Sequence, residues 1–174
     1  MAITKIQSES LNLADDYAFT GTITGAGESN VPAWSVTTNG SAQSISVNSR
    51  TIVQFNTENF DLGSVFNTST YKATPASGKY FLSANVTMKP TAGGVYQMWI
   101  QIMKNTTTIA KQGILLSGSS YEANVAQSFD CSVTTTANGT DTFHVEVYYY
   151  NGSAQVMAID GNAPQNFSGF KITT

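Results

Sequence analysis

The segment Phe143-His144-Val145-Glu146-Val147-Tyr148-Tyr149 alternates apolar and polar side chains, and this period of two, repeated along the chain, most constrains the fold. Successive side chains on a strand point to opposite faces, so alternation marks a strand with one buried face. Thr51-Ile52-Val53-Gln54-Phe55 places Val53 and Phe55 on one side, and Tyr80, Leu82, Ala84 and Val86 repeat the pattern. Tyr96-Gln97-Met98-Trp99-Ile100-Gln101-Ile102 repeats it again. Turn-forming residues separate these runs at Ala92-Gly93-Gly94, Ala137-Asn138-Gly139-Thr140, Asn151-Gly152 and Asp160-Gly161-Asn162. No apolar stripe of period 3.6 is present to build a helical protein. Short strands at this spacing predict an all-β sandwich or barrel.

Trp34, Trp99, Phe143, Phe167 and Phe170 are expected to fill the core, while Tyr148-Tyr149-Tyr150 must send at least one ring outward. In Phe129-Asp130-Cys131-Ser132-Val133 the same alternation makes Cys131, the sole cysteine, a small buried strand residue rather than a reactive thiol. A single cysteine also excludes an intrachain disulfide.

Only 11% of the 174 residues are charged, so the surface must be polar mainly through Ser, Thr, Asn and Gln. Eight Lys+Arg residues and a net charge of -3 give too little cationic density to neutralise phosphates, which argues against nucleic-acid binding. No run approaches the roughly 18 apolar residues of a membrane span, and Met1 to Glu9 lack the apolar stretch of a secretion signal. Neither membrane insertion nor secretion by a leader is therefore expected. On that basis the N-x-[ST] sequons, Asn85-Val86-Thr87 among them, follow from composition.

Residues able to carry chemistry are sparse. His144, the only histidine, lies between Phe143 and Val145 and is expected on the solvent face of its strand, without a nucleophile or second ligand beside it. Asp15-Asp16 has no fixed mutual geometry, and Gly25-Ala26-Gly27 does not complete a dinucleotide-binding glycine pattern. Asp160-Gly161-Asn162 could offer oxygens to calcium, but a type I′ or similar turn accounts for the same residues without a metal. The expectation is a protein with no catalytic residues, no cofactor and no metal.

Composition shifts near residue 30. Residues 1-30, ending in Thr24-Gly25-Ala26-Gly27-Glu28-Ser29-Asn30, read as an extended N-terminal arm, and residues 31-174 as the domain. Ile3, Ile6, Leu11, Leu13, Tyr17 and Phe19 form an apolar series along the arm that suits docking on a neighbouring protein.

Thr74-Pro75-Ala76-Ser77-Gly78-Lys79-Tyr80-Phe81-Leu82-Ser83 resembles the signature of the complement-one-q globular head, a jelly roll shared with tumour necrosis factors. Phe55-Asn56-Thr57-Glu58 with Phe60-Asp61, Ile102-Met103-Lys104-Asn105, Gly139-Thr140-Asp141 and Asn166-Phe167-Ser168-Gly169-Phe170 extend the likeness over residues 33-172. Tyr71 departs from it, lying four residues before Pro75 where the family usually has an aromatic three before. The resemblance implies a jelly-roll sandwich of about ten antiparallel strands, assembled as a homotrimer that acts by binding rather than catalysis. Apolar alternation on both the Tyr80-Val86 and the Phe167-Ile172 strands suggests more buried face than one sandwich can cover, and Tyr80, Leu82, Phe170 and Ile172 are the candidate trimer interface.

Ile3 to Asp16 and Phe19 to Gly27 resemble the start of structural proteins of marine tailed bacteriophages, including cyanophage-like ones. That second resemblance implies a virion structural protein, a tail-fibre or head-fibre knob or a capsid decoration protein, made in the host cytoplasm and residing in the particle. Its partners would be its own copies and, through the arm, other virion proteins, with a host surface receptor or glycan as a further candidate. The alternative is a cellular carbohydrate- or receptor-binding module, whereas an enzyme of cupin type would need more histidines than one.

Overall fold

The computed structural model describes residues 31–90, 95–115, 124–151, 157–163 and 165–172. The arm, including Ile3, Ile6, Leu11, Leu13, Tyr17 and Phe19, lies outside the described residues.

Thirteen strand segments pair antiparallel in two sheets. In the larger sheet β7 (Gly78–Pro90) is central. On one side it pairs with β10 (Gln127–Ala137). On the other it pairs with β13 (Asn166–Ile172) and, at its far end, β12 (Met157–Ile159). The sheet continues through β13 to β1 (Ala33–Thr37) and β4 (Thr57–Leu62), and through β12 to β2 (Gln43–Ile45). The smaller sheet runs β5 (Phe66–Asn67), β6 (Lys72–Ala73), β11 (Phe143–Asn151), β8 (Val95–Lys104) and β9 (Thr107–Leu115), with β3 (Thr51–Ile52) also on β11. The result is the expected all-β sandwich, with more segments than about ten because several are two-residue pairings.

The pleat decides what fills the space between the sheets. Tyr80, Leu82, Ala84, Val86 and Met88 from β7 are buried against Met98, Ile100 and Ile102 from β8 and Phe143, Val145, Val147 and Tyr149 from β11. Burying each large apolar side chain stabilises the fold by about 1.5–3 kcal/mol. Val53 and Phe55 are buried as their alternation predicts, and so is Cys131, whose thiol burial pushes up to about 11. Such a thiol stays protonated at neutral pH.

Phe167 is the meeting point of the aromatic core. Trp34 approaches it edge-on at 5.9 Å, and Phe55 and Phe66 lie 6.0 and 6.4 Å away. Trp34 on β1 stands opposite Gly169 on β13, and its six-membered ring lies where a side chain at 169 would be. A Cβ there would come within 2.3 Å of the ring, so only glycine fits.

Two turns are tied together beside this core. The Asp141 carboxylate accepts hydrogen bonds from Asn105 Nδ2 at 2.7 Å and from the Asn138 amide at 3.0 Å, and pairs with Lys104 Nζ at 3.1 Å. Asn105 in turn accepts from the Thr142 amide through its Oδ1. The Asn105 bond, followed by the Lys104 and Asn138 contacts, holds Asp141 below the usual carboxylate range despite some burial. Tyr71, with φ of 60°, donates its amide to Asn67 O, so a turn before β6 takes up the four-residue spacing to Pro75.

Three expectations need correction. Trp99 and Phe170 are on outer faces instead of in the core, because their inward neighbours in register are Met98, Ile100 and Phe167, Gly169. His144 does face away from the sandwich core, yet it is 3% exposed rather than on the surface. β11 is an interior strand, and Met103, directly across from His144 on β8, is buried with it. His144 Nε2 lies 3.3 Å from Glu146 Oε1, Gln101 Nε2 donates to Glu146 Oε2 at 2.8 Å, and Thr108 Oγ1 donates to Gln101 Oε1 at 3.3 Å. Burial holds the imidazole below its ordinary range, helped by the Lys72 charge and opposed by Glu146.

Four outcomes follow from this packing. Gly169→Ala should lower stability by about 1–3 kcal/mol in urea unfolding, since Trp34 must leave its position. Phe143→Ala should cost about 3–5 kcal/mol through its cavity, and His144→Ala about 1–3 kcal/mol by removing a buried partner of Glu146. Because the folded pKa of His144 is lowered, its contribution is complete above the unfolded value near 6.5 and declines as pH falls below it. The urea midpoint of His144→Gln, compared with the parent from pH 8 to 5, should therefore lack that part of the decline.

Candidate functional site

The outer face of the larger sheet carries the strongest candidate. Its register places Leu62, Ala33, Phe170, Phe81 and Thr134 side by side on five adjacent strands, β4, β1, β13, β7 and β10. Phe170 and Phe81 pack with ring centroids 5.4 Å apart. Leu62 is 52% exposed and Phe170 43% exposed, although both are large and apolar. Phe60, one row away opposite Ser35, and Val31, the first described residue, are exposed as well.

The neighbouring rows set the limits of this band. Ser35, Ser168, Ser83 and Ser132 form the next row, and Thr37, Asn166, Asn85 and Asp130 the row beyond it. Asn85 Nδ2 donates to Asp130 Oδ1 at 2.6 Å, and Asn166 Nδ2 donates to Ser35 Oγ at 3.0 Å, so these polar side chains largely satisfy one another. On the other flank Ile172 is paired with Lys79, and Lys79 with Thr136. An apolar band bordered by hydroxyl and amide rows has the layout of an association surface, with an apolar centre and a polar rim.

Of the four residues expected at an interface, the structure separates two from two. Phe170 and Ile172 lie on this outer face. Tyr80 and Leu82 do not: both are wholly buried in the chain's own core, with the Tyr80 hydroxyl donating to Ala76 O at 2.9 Å, and no second copy can bury them further. The missed residues are Phe81, Ala33, Leu62 and Phe60. Phe81 was detectable, since Tyr80-Phe81-Leu82 is apolar on both faces of one strand and the core can take only one of them.

Among the described residues no three of His, Cys, Asp and Glu gather to hold a metal ion. At Asp160-Gly161-Asn162 the Asp160 carboxylate accepts the Asn162 amide at 3.0 Å, the turn geometry that its sequence suggests.

No family model matches the chain, and no curated protein is similar to it by sequence. Solved structures share its fold. The Eiger TNF of S. frugiperda aligns with a TM-score of 0.56 at 10% identity, covering 81% of this chain and 93% of that one. The globular domain of zebrafish complement 1qA aligns with a TM-score of 0.52 at 18% identity, covering 81% and 96%. Murine APRIL aligns with a TM-score of 0.56 at 10% identity, covering 81% and 98%. At these identities the likeness establishes a two-sheet jelly roll of the tumour-necrosis-factor and complement-one-q kind.

Proposed function

We propose that the chain is a homotrimeric binding module, acting without catalysis, that serves as a structural component of a tailed-phage particle. The observation that carries the trimer is the exposed apolar band centred on Phe170 and Phe81. Large apolar side chains on three of the band's strands, Leu62, Phe170 and Phe81, gain free energy when a second copy removes them from water, at about 25 cal/mol per Å² of apolar area covered. The surface is short of charge, so no strong like-charge repulsion opposes that contact. Three copies closing around an axis would cover the band on every copy and leave no open face for filament growth.

The virion reading adds the arm. Val31, the first described residue, stands beside Gly63, which follows Leu62 of the apolar band. The apolar series of residues 1-30, Ile3, Ile6, Leu11, Leu13, Tyr17 and Phe19, suits anchoring on a neighbouring virion protein, and the sequence likeness of the arm to phage structural proteins supports the same role. The head would then be the exposed knob of a fibre or a decoration of the capsid.

Sedimentation of the full chain at micromolar concentration should give the mass of three copies, and a monomer would remove the trimer. Phe170→Asp should dissociate it while leaving the unfolding midpoint of the isolated domain within about 0.5 kcal/mol, because the side chain is outside the core. For the arm, tagged protein with and without residues 1-30 should both sediment as trimers, and only the longer form should enter particles. Equal incorporation would show that the head alone holds the virion.

A further inference from the structure

The outer face of the smaller sheet is built differently from that of the larger. Tyr148 on β11, Trp99 on β8 and Gly113 on β9 form one cross-strand row, flanked by Tyr150, Gln97 and Leu115 on one side and Glu146, Gln101 and Lys111 on the other. Tyr148 lies parallel to the Trp99 indole, with centroids 4.0 Å apart and planes 16° apart. On β9 the position opposite Trp99 is empty of side chain, and it has to be. A Cβ on Gly113 would stand 2.3 Å from Trp99 Cβ and 2.4 Å from Met98 O.

The missing side chain leaves a cleft of about 450 Å3 lined by Gln97, Trp99, Lys111, Gly113, Ile114 and Leu115. Lys111 Nζ sits 3.5 Å from the centre of the indole ring. Among the described residues no carboxylate pairs with Lys111, since Glu146 is engaged by His144 and Gln101. Leu115 is 70% exposed at the opposite end, and Tyr150, across from Gln97, is also exposed. The cleft therefore combines an aromatic wall, an apolar end, a cation, an amide and a nearby phenol.

We infer that this cleft binds a glycan through a carboxylated sugar, whose acid draws Lys111 off the indole, so that the C–H face of the sugar ring rests on the Trp99 face that Lys111 leaves, opposite Tyr148, and against Leu115. An ammonium over an indole is attracted to the ring, but a carboxylate offers it a charge-assisted hydrogen bond that is stronger. Gln97 in the cleft, and Tyr150 across from it, supply donors and acceptors for sugar hydroxyls. The size of the cleft favours a small polar ligand over a protein, whose interface would need roughly 800 Å² on each partner. A single lysine on a chain of net charge -3 is too little for nucleic acid. The inference does not depend on the trimer, because the cleft lies on the sheet opposite the apolar band.

The test uses the full chain at low salt, with 3′-sialyllactose and a glucuronate disaccharide as acidic probes and lactose as the neutral control. Binding is followed by ligand-observed NMR and by tryptophan fluorescence, in which Trp34 is the buried reference. At least one acidic saccharide should bind with a sub-millimolar dissociation constant, at least tenfold tighter than lactose. Lys111→Met should remove that preference. Trp99→Phe should abolish the fluorescence change, with folding checked by urea unfolding in both variants. Absence of saturable binding by both acids, equal binding of lactose, or an unaltered preference in Lys111→Met would overturn the inference. Sedimentation of the same samples separates the two readings: a trimer without affinity leaves the assembly standing, and a monomer that binds leaves the cleft standing.

Discussion

The seating of Trp34 over Gly169 is the constraint on which the larger sheet depends. The indole occupies the volume that a side chain on β13 would need, and from there it meets Phe167 edge-on and Tyr80 at 6.3 Å. Phe167 also receives Phe55 and Phe66, which belong to the segment that crosses between the sheets. One glycine thus allows β1 and β13 to share a core aromatic, and that aromatic group joins first and last strands of the domain. The first and last described strands therefore lie side by side.

Much of the architecture was legible because the pleat has a strict period. The alternation in Phe143–Tyr149, Tyr80–Val86 and Gln97–Ile102 marks the inward residues of β11, β7 and β8 correctly, and Cys131 follows the same rule on β10. Alternation says which residues share a face, but not what covers that face. His144 illustrates this limit: it points outward as expected and is nonetheless buried, because β11 is interior and its neighbours close over it. Tyr80 and Leu82 illustrate another, since an apolar excess on one strand does not reveal which of two faces a partner would see. Cross-strand register resolves it, and register rests on pairings as distant in sequence as Ala33 with Phe170. The arm's role is beyond such reasoning, as its apolar series lies outside the described residues.

The two outer faces solve different problems with the same scarcity of charge. On the larger sheet, aromatic and aliphatic side chains lie in one row and serine hydroxyls in the next, so the surface changes from apolar to polar within two residues along the strands. On the smaller sheet, buried Gln101 and His144 both meet Glu146, and Lys111 rests on an aromatic ring instead of an acid. The first arrangement favours broad contact and the second a local one. Both rely on short-range packing and hydrogen bonds, which salt screens far less than long-range charge.

The strict alternation of β7 and β13 also separates two kinds of heritable change. On β7 Phe81 and Ser83, and on β13 Ser168 and Phe170, face the outside, while Leu82 and Gly169 between them face the core. Substitutions on the outer register can alter assembly or recognition with little effect on folding, and those on the inner register do the reverse. A lineage carrying this scaffold is free to diversify its exterior rapidly while Trp34, Phe167 and Gly169 hold the interior unchanged.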